Sequence, residues 1–259
     1  MNNYLYDNLQ IREVFHIEFL KNFTKKIKPS FYAVKGGVNM RLFFDSVRYS
    51  EDMDLDINKI SVYALRDTVM KIIGSSTFLT ELKSFGVEKV LPPDITKAKQ
   101  TETTQRFKIH LITHQGEDLF TKIEFSRRRS SGNTVVELIQ EKVLRRYGMS
   151  PLIVSHYDAE TAVNQKIGAL ANRKAVQARD IFDIYILSTQ VVPNKKGRLK
   201  VTQEIRKVAG ENVFSVSFHR FRDTVLNYFS EEDRAVYENK ELWDEIRLKV
   251  NGFICENNK

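Results

Sequence analysis

Alternating acidic residues mark the part of this sequence most able to do chemistry. In RYSEDMDLDI, residues 48–57, carboxylates alternate with apolar side chains, as in a β-strand with one buried face. Residues two apart on a strand project from the same side, so Asp52 and Asp54 form a fixed carboxylate pair. Mg²⁺ often binds through one or two carboxylates together with substrate phosphates. The simpler alternative is a half-buried strand whose outer face happens to be acidic. The inward set is Met53, Leu55 and Ile57, and the outward set is Asp52, Asp54 and Asp56.

A glycine pair precedes this strand. FYAVKGG, residues 31–37, reads as a short apolar strand that ends at Gly36 and Gly37, and residues 38–45 read as a helix. Glycines between a strand and a helix let backbone amides approach a phosphate, and the helix N-terminus adds free N–H groups and partial positive charge. A plain tight turn is the alternative. Glycine turn, helix and Asp-x-Asp strand in this order supply both halves of a metal–triphosphate site.

The remaining periodicity predicts the elements that must position these groups. Helical patterns cover residues 8–28 and 62–74, and strands are predicted at 107–113 and 120–126. Beyond residue 150 every periodic segment is helical, which indicates a mixed α and β domain over 1–150 and a helical domain over 151–259. The helical segments are Tyr157–Leu170, Val176–Leu187, Thr202–Val208, Phe218–Phe229 and Glu231–Val250.

Composition limits the possible classes of protein. The 259 residues are 42% hydrophobic and 29% charged, which is typical of a globular chain and excludes a collagen-like or wholly disordered one. Lysine and arginine exceed the acidic residues by 41 to 33, a net charge of +8 that favours a polyanionic partner. The single cysteine, Cys255, permits no internal disulfide. We find no secretion signal and no apolar run long enough to span a membrane, so a cytoplasmic location is expected.

KGGVNMRLFF followed by RYSEDMDLDI resembles the first motif of the AbiEii/AbiGii toxin family of nucleotidyltransferases, within the DNA polymerase β-like superfamily. The family pattern is a Gly-Gly pair, a short helix, and Arg-x-Ser-x-Asp-x-Asp followed by an apolar residue. The matching positions are Gly36, Gly37, Arg48, Ser50, Asp52, Asp54 and Leu55. Asn39 departs from the small apolar residue usual in the family, and it could alter helix packing or touch the nucleotide. The resemblance implies an α+β fold: a polymerase β-like domain, with a mixed sheet flanked by helices, followed by a C-terminal helical bundle that completes the active site.

The resemblance also assigns later residues. In LFTKIEFSRR, Glu124 would be the third acidic residue, either a metal ligand or the base for the attacking hydroxyl. An ordinary ion pair of Glu124 with Lys122 or an arginine is the alternative. Lys166 would contact the nucleotide phosphates, and Asp180 would be a catalytic-site residue that orients Lys166, holds the base or assists proton transfer. On a helix Arg179 would pair with Asp183 at i, i+4.

Taken together, the resemblance implies a magnesium-dependent enzyme of a toxin–antitoxin or abortive-infection system. Two Mg²⁺ ions, held by Asp52, Asp54 and Glu124, would assist transfer of a nucleoside monophosphate from a triphosphate to an acceptor hydroxyl. Gly36, Gly37, Arg48, Ser50 and Lys166 would bind the nucleotide. The acceptor is expected to be RNA, especially the tRNA 3′ end, with a cognate antitoxin as a possible protein partner. The alternatives are an antibiotic or protein acceptor, or a non-enzymatic RNA-binding protein with a vestigial site.

Basic residues cluster at several points in the sequence, and such clusters could bind an RNA backbone. Arg127, Arg128 and Arg129 directly follow the Glu124 strand, and we expect this group to contact the RNA backbone. For the loop around Lys195 an exposed, solvated surface is the simpler interpretation. The remaining basic positions are Arg145, Arg146, Lys195, Lys196, Arg198 and Lys200.

Overall fold

The computed structural model describes residues 6–96, 98–128, 132–191 and 199–256. The chain divides into two compact units. The first comprises residues 1–43 and 49–157, and the second comprises residues 44–48 and 158–259. The predicted domain boundary near residue 150 lies a few residues before the point where the chain passes into the second unit.

A mixed seven-strand sheet organises the first unit, as the fold prediction expected. Its spatial order is β3-β4-β5-β2-β1-β7-β6. Neighbouring strands run antiparallel except for the parallel pairs β2/β5 and β1/β7. The strands are β1 (Tyr32–Lys35), β2 (Met53–Ile57), β3 (Val87–Leu91), β4 (Thr104–Thr113), β5 (Asp118–Ser126), β6 (Thr134–Leu138) and β7 (Ile153–Tyr157). The helices of this unit are α1 (Asn8–Thr24), α2 (Gly36–Phe43), α3 (Val62–Ile73), α4 (Ser76–Lys83) and α5 (Glu141–Arg146).

The alternation in β2 behaves as predicted. Met53, Leu55 and Ile57 are buried, and the acidic residues between them keep partial access to solvent. Burial of the apolar set fixes the register, because a slip of one residue would move the whole apolar set to the other face. The acidic face of β2 is therefore fixed in direction by the packing of its opposite face.

Helix α1 supplies much of the core beneath the sheet. It begins at a capping box in which the Asp7 side chain accepts from the backbone of Gln10 and the Gln10 side chain accepts from Asp7. Its buried face carries Phe15, Phe19 and Phe23, whose rings stack along the helix. The helix ends at Thr24, earlier than predicted: the backbone N–H groups of Lys26 and Ile27 both donate to the Phe23 carbonyl, and a 3-10 turn follows at Pro29.

One histidine on α1 is buried in this core. His16 Nε2 lies 3.0 Å from Thr121 Oγ1, and the Thr121 hydroxyl donates to the Glu51 carbonyl at 2.7 Å. The threonine proton is thus committed, so His16 Nε2 must be the donor. Burial, and next the nearby Arg12, lower the pKa of His16 to about 3. The ring is therefore neutral at physiological pH.

The second unit is built of helices in its described part. Its helices are α6 (Ala159–Asn172), α7 (Ala178–Ser188), α8 (Gln203–Phe214), α9 (Phe218–Thr224), α10 (Glu231–Tyr237) and α11 (Lys240–Glu256). The predicted helix over 231–250 is divided at Glu238, where ψ is 52°. Trp243 is a core residue: it stacks on Phe221 at 4.1 Å and donates to the Val216 carbonyl. None of the helices in the described ranges is long and apolar enough to cross a membrane.

Candidate active site

Strand register brings the predicted carboxylates of the first unit together. β2 runs parallel to β5 with Asp54 directly opposite Glu124. Asp52 lies one residue before β2, on the same side as Asp54. Residues opposite each other on adjacent strands project from the same face, and neighbouring strands lie about 5 Å apart. The three acids therefore occupy neighbouring positions on one face of the sheet.

Two of these acids are held by basic side chains. Lys122 Nζ lies 2.9 Å from Asp52 Oδ2, and Arg106 Nε lies 2.5 Å from Glu124 Oε2. Arg106 is the residue of β4 that stands opposite Glu124. The ion pair given as the alternative interpretation of Glu124, with Lys122 or an arginine, is thus present, and its partner is the arginine on the next strand.

Asp54 has no such partner. Within the described ranges its carboxylate makes no ion pair and no side-chain hydrogen bond. Burial and then the neighbouring Glu124 raise the pKa of Asp54 above its ordinary value, despite the opposing effect of Lys35 and Lys122. Asp52 Oδ1 is also buried without a hydrogen-bond partner. An unneutralised carboxylate beside two others is the arrangement that a cation would relieve.

The three carboxylates are ligands of the type that a divalent ion prefers, and strand register makes them neighbours. Their oxygens, however, do not converge on one point. In the portion of the chain that the structure describes, no group of three or more His, Cys, Asp or Glu side chains is gathered closely enough to hold a metal ion. The reason is visible in the contacts: Asp52 is turned to Lys122 and Glu124 to Arg106. A shared ion would require both carboxylates to exchange these partners for the metal.

The glycine pair lies against the bare carboxylate. Gly36 follows β1 directly, has φ +70°, and begins α2. A Cβ at Gly36 would lie 3.1 Å from Asp54 Oδ2, closer than an ordinary van der Waals contact. Glycine is needed here both for the left-handed backbone and for the close approach. Gly37 is the second residue of α2, where the first N–H groups of a helix have no intrahelical acceptor.

Two neighbouring polar residues have local partners. The Ser50 hydroxyl donates to the backbone carbonyl of Asp52 at 2.7 Å, so its proton is committed to the turn that leads into β2. Asn39, on α2, is buried; its amide donates to the Tyr157 carbonyl at 3.0 Å, and its Oδ1 lies 2.9 Å from His156 Nδ1. Of the two roles considered for Asn39, these contacts correspond to packing of α2 on β7.

The other predicted site residues form an ionic cluster in the second unit. Arg48 Nη2 lies 3.0 Å from both carboxylate oxygens of Asp183. Lys166 Nζ lies 2.6 Å from Asp183 Oδ2 and 3.2 Å from Asp180 Oδ1. Both aspartates are fully buried. Arg173 Nε is 2.9 Å from Asp180 Oδ2, without the geometry of a hydrogen bond.

Charge balance maintains this cluster. Burial alone would raise the pKa of Asp183, but Arg48 and Lys166 outweigh it and lower that pKa below its ordinary value. Arg179 is exposed and does not pair with Asp183; the i, i+4 expectation was wrong because Arg48 and Lys166 occupy that carboxylate.

The basic groups differ from one another. Arg127 and Arg128 follow β5 as expected, whereas Arg129, Lys195, Lys196 and Arg198 lie outside the described residues. Arg145 pairs with Glu141, and Lys200 pairs with Glu160 at 3.1 Å.

Sequence reasoning missed the counter-ions. In the sequence Lys122 is a possible partner of Glu124, whereas in the structure it pairs with Asp52. Arg106 and Lys35 do not stand out in the sequence. Lys35 Nζ lies 2.5 Å from Asp56 Oδ1. The available signal was Arg106 and Lys108 on alternate positions of β4 and Lys122 on β5, but their partners depend on strand register.

Comparison with known proteins gives the family and the fold of this chain. The family model for the AbiEii nucleotidyl transferase toxin, type IV toxin–antitoxin system, matches residues 18–247. The structure is similar to MenT4, the nucleotidyltransferase toxin Rv2826c of Mycobacterium tuberculosis H37Rv, with a TM-score of 0.60, 15% identity, and coverage of 96% of this chain and 86% of that one. It is also similar to JHP933 from Helicobacter pylori, with a TM-score of 0.51, 17% identity, and coverage of 95% and 94%. No curated protein matches the sequence. These structural similarities establish the fold, and because the family model spans most of the sequence, the chain belongs to the AbiEii toxin family and is a nucleotidyltransferase.

Proposed function

We propose that this enzyme transfers a nucleoside monophosphate from a nucleoside triphosphate to the 3′ hydroxyl of an RNA, with tRNA as the preferred acceptor. It would act as the toxin of a toxin–antitoxin or abortive-infection system, with a cognate antitoxin. The observation that carries the proposal is the bare Asp54 carboxylate, set beside Glu124 and against Gly36. The contact of Asp54 with Gly36 supports a site at the strand-to-helix turn, where a triphosphate would lie.

The chemistry balances without a further reactant. The acceptor oxygen forms a bond to the α-phosphorus, the bond from that phosphorus to the β-phosphate oxygen breaks, and pyrophosphate leaves. The hydroxyl proton passes to a base, for which Glu124 is the candidate. Divalent ions, which nucleotidyltransferases generally use, would supply charge neutralisation at the phosphates, and Asp52, Asp54 and Glu124 would hold them.

The residues around the acids would bind the triphosphate and balance charge. N–H groups at Gly36 and Gly37 would bind the triphosphate, aided by the partial positive charge at the start of α2. Lys122 and Arg106 neutralise Asp52 and Glu124. On release they would add positive charge beside the phosphates.

For Lys166 and Asp180 we propose the roles that the resemblance implies: Lys166 contacts the nucleotide phosphates, and Asp180 is a catalytic-site residue. The complete burial of Asp180 favours orientation of Lys166 over direct contact with a base. Arg48 and Ser50 were predicted to bind nucleotide, and their contacts favour an indirect contribution instead. Arg48 holds Asp183, and Ser50 braces the Asp52 backbone.

The decisive experiment incubates the purified chain with each α-labelled nucleoside triphosphate, MgCl₂ and total bacterial RNA. We expect label in a tRNA-sized band and its loss in Asp54→Asn. Asp118→Asn is the matched control, since Asp118 is an exposed acid at the far end of β5 that contacts His110. Full activity of Asp54→Asn would refute the site. Label in protein or in an added aminoglycoside, with none in RNA, would refute the acceptor.

A further inference from the structure

A polar cavity lies beside the acids on the same face of the sheet. It has a volume of about 600 Å³, within the range of ligand pockets of proteins. Asp56, two residues after Asp54 on β2, forms part of its wall, so the cavity begins roughly 7 Å from Asp54 along the strand. Its other polar lining includes Arg127, Arg128, Thr134 and Tyr157.

The carboxylate in this cavity is already neutralised. Asp56 Oδ1 accepts from Lys35 Nζ, and Asp56 Oδ2 accepts from the Tyr157 hydroxyl at 2.7 Å. A cationic ligand would have to displace Lys35 to reach this carboxylate. The acidic residue therefore does not make the cavity a site for a polycation.

The arginines retain capacity for an anion. Arg127 donates through Nη2 to Gln105 Oε1 at 2.5 Å and through Nε to the Ile60 carbonyl at 3.3 Å, but its Nη1 is buried without a hydrogen-bond partner. Arg128 is exposed, and its guanidinium makes no ion pair or hydrogen bond within the described ranges. A phosphate would satisfy both groups, because guanidinium forks match phosphate oxygens.

We propose that this cavity, the Arg127–Arg128 cavity, binds the 3′-terminal nucleotide of the RNA acceptor, with the phosphate of that nucleotide on the two arginines. The inference rests on the proposed function. Arg127 lies three residues after Glu124 on the same chain segment. A nucleotide anchored there by its phosphate can direct its 3′ hydroxyl towards Glu124, the candidate base.

The test is anisotropy titration of a 5′-fluorescein single-stranded 12-nucleotide RNA with a free 3′ hydroxyl, without triphosphate, between 50 and 200 mM salt. Because Arg127 also bonds to Gln105 and Ile60, the primary variant is Arg128→Ala. We expect about tenfold weaker RNA binding. The slope of log affinity against log salt concentration, the salt slope, should be smaller in magnitude by about 0.7, the value for one contact to single-stranded nucleic acid. Thr134→Trp, at an exposed position of β6, should weaken binding by filling the cavity.

The control is Lys89→Ala, which removes one exposed positive charge on β3, separated from β2 by β4 and β5. It should leave RNA affinity unchanged, and binding of a fluorescent ATP analogue should stay the same in all three variants. Wild-type RNA affinity and salt slope in both Arg128→Ala and Thr134→Trp would overturn the cavity assignment. If those variants lose RNA binding while the wild type labels no RNA, the proposed reaction fails and the cavity assignment stands.

Discussion

Replacement of Gly36 by alanine tests whether Asp54 is placed by the glycine turn. The left-handed backbone at Gly36 costs a residue with a Cβ about 1–2 kcal/mol, partly offset by the lower entropy of the unfolded chain. The new methyl group would also lie 3.1 Å from Asp54 Oδ2, so the carboxylate must shift by a few tenths of an ångström. Since a misplacement of about 1 Å can cost roughly 100-fold in rate, we expect a loss on the order of 10-fold.

A second glycine separates strain from displacement. Gly148 has φ +61° and nothing within 4 Å of the position its Cβ would take. Gly148→Ala should lower the free energy of unfolding, measured by urea titration, by about as much as Gly36→Ala does. Its rate of nucleotide transfer at saturating triphosphate should stay at the wild-type value. Equal rates for the two alanine variants would refute the reasoning, whether both are normal or both are low.

Three further predictions concern stability and nucleotide affinity. Because the pKa of His16 is lowered to about 3 in the folded state and is near 6.5 when unfolded, its contribution is complete above pH 6.5 and is lost as pH falls towards 3. We expect the free energy of unfolding to fall by about 2 kcal/mol between neutral pH and pH 5 for this reason. Urea titrations at the two pH values should show that this difference disappears in His16→Gln but persists in His219→Gln, an exposed site. Asp183→Asn should cost about 3 kcal/mol by leaving buried cations short of a counter-charge, whereas Asp67→Asn, in an exposed i, i+4 pair, should cost less than about 0.5 kcal/mol. Asn39→Ala should lower unfolding free energy by about 1–3 kcal/mol without changing KM for triphosphate, and a raised KM would instead indicate nucleotide contact.

The pattern of neighbouring residues was sufficient to predict the acidic strand and the glycine turn before it. The two-residue period of β2 and the Gly-Gly break are encoded within a few neighbouring residues, and the structure reproduces both. Pairing of Asp54 with Glu124, by contrast, depends on β2 lying parallel to β5, seventy residues away in the sequence. The resemblance supplied that pairing, because no local property of either segment does.

Elements without a clear period were missed. β7, with the sequence IVSHY, is too short to alternate visibly, yet it pairs parallel to β1 and belongs to the sheet. β6 is an edge strand whose residues are nearly all exposed, so it carries no hydrophobic signature. The burial of Asp183 was likewise invisible, because an i, i+3 acidic pair on a helix usually faces solvent. Its neutralising partners, Arg48 and Lys166, come from other segments of the chain.

The chain leaves the sheet unit after Phe43, contributes residues 44–48 to the helical unit, and returns at Tyr49. No single cut in the backbone can therefore separate the two units intact. A fragment that stops at residue 157 would separate Arg48 from Asp183, and the complementary fragment would carry an Asp183 deprived of that guanidinium. Dissection of this enzyme by truncation would damage both halves, so its parts are best studied by point substitution in the full chain.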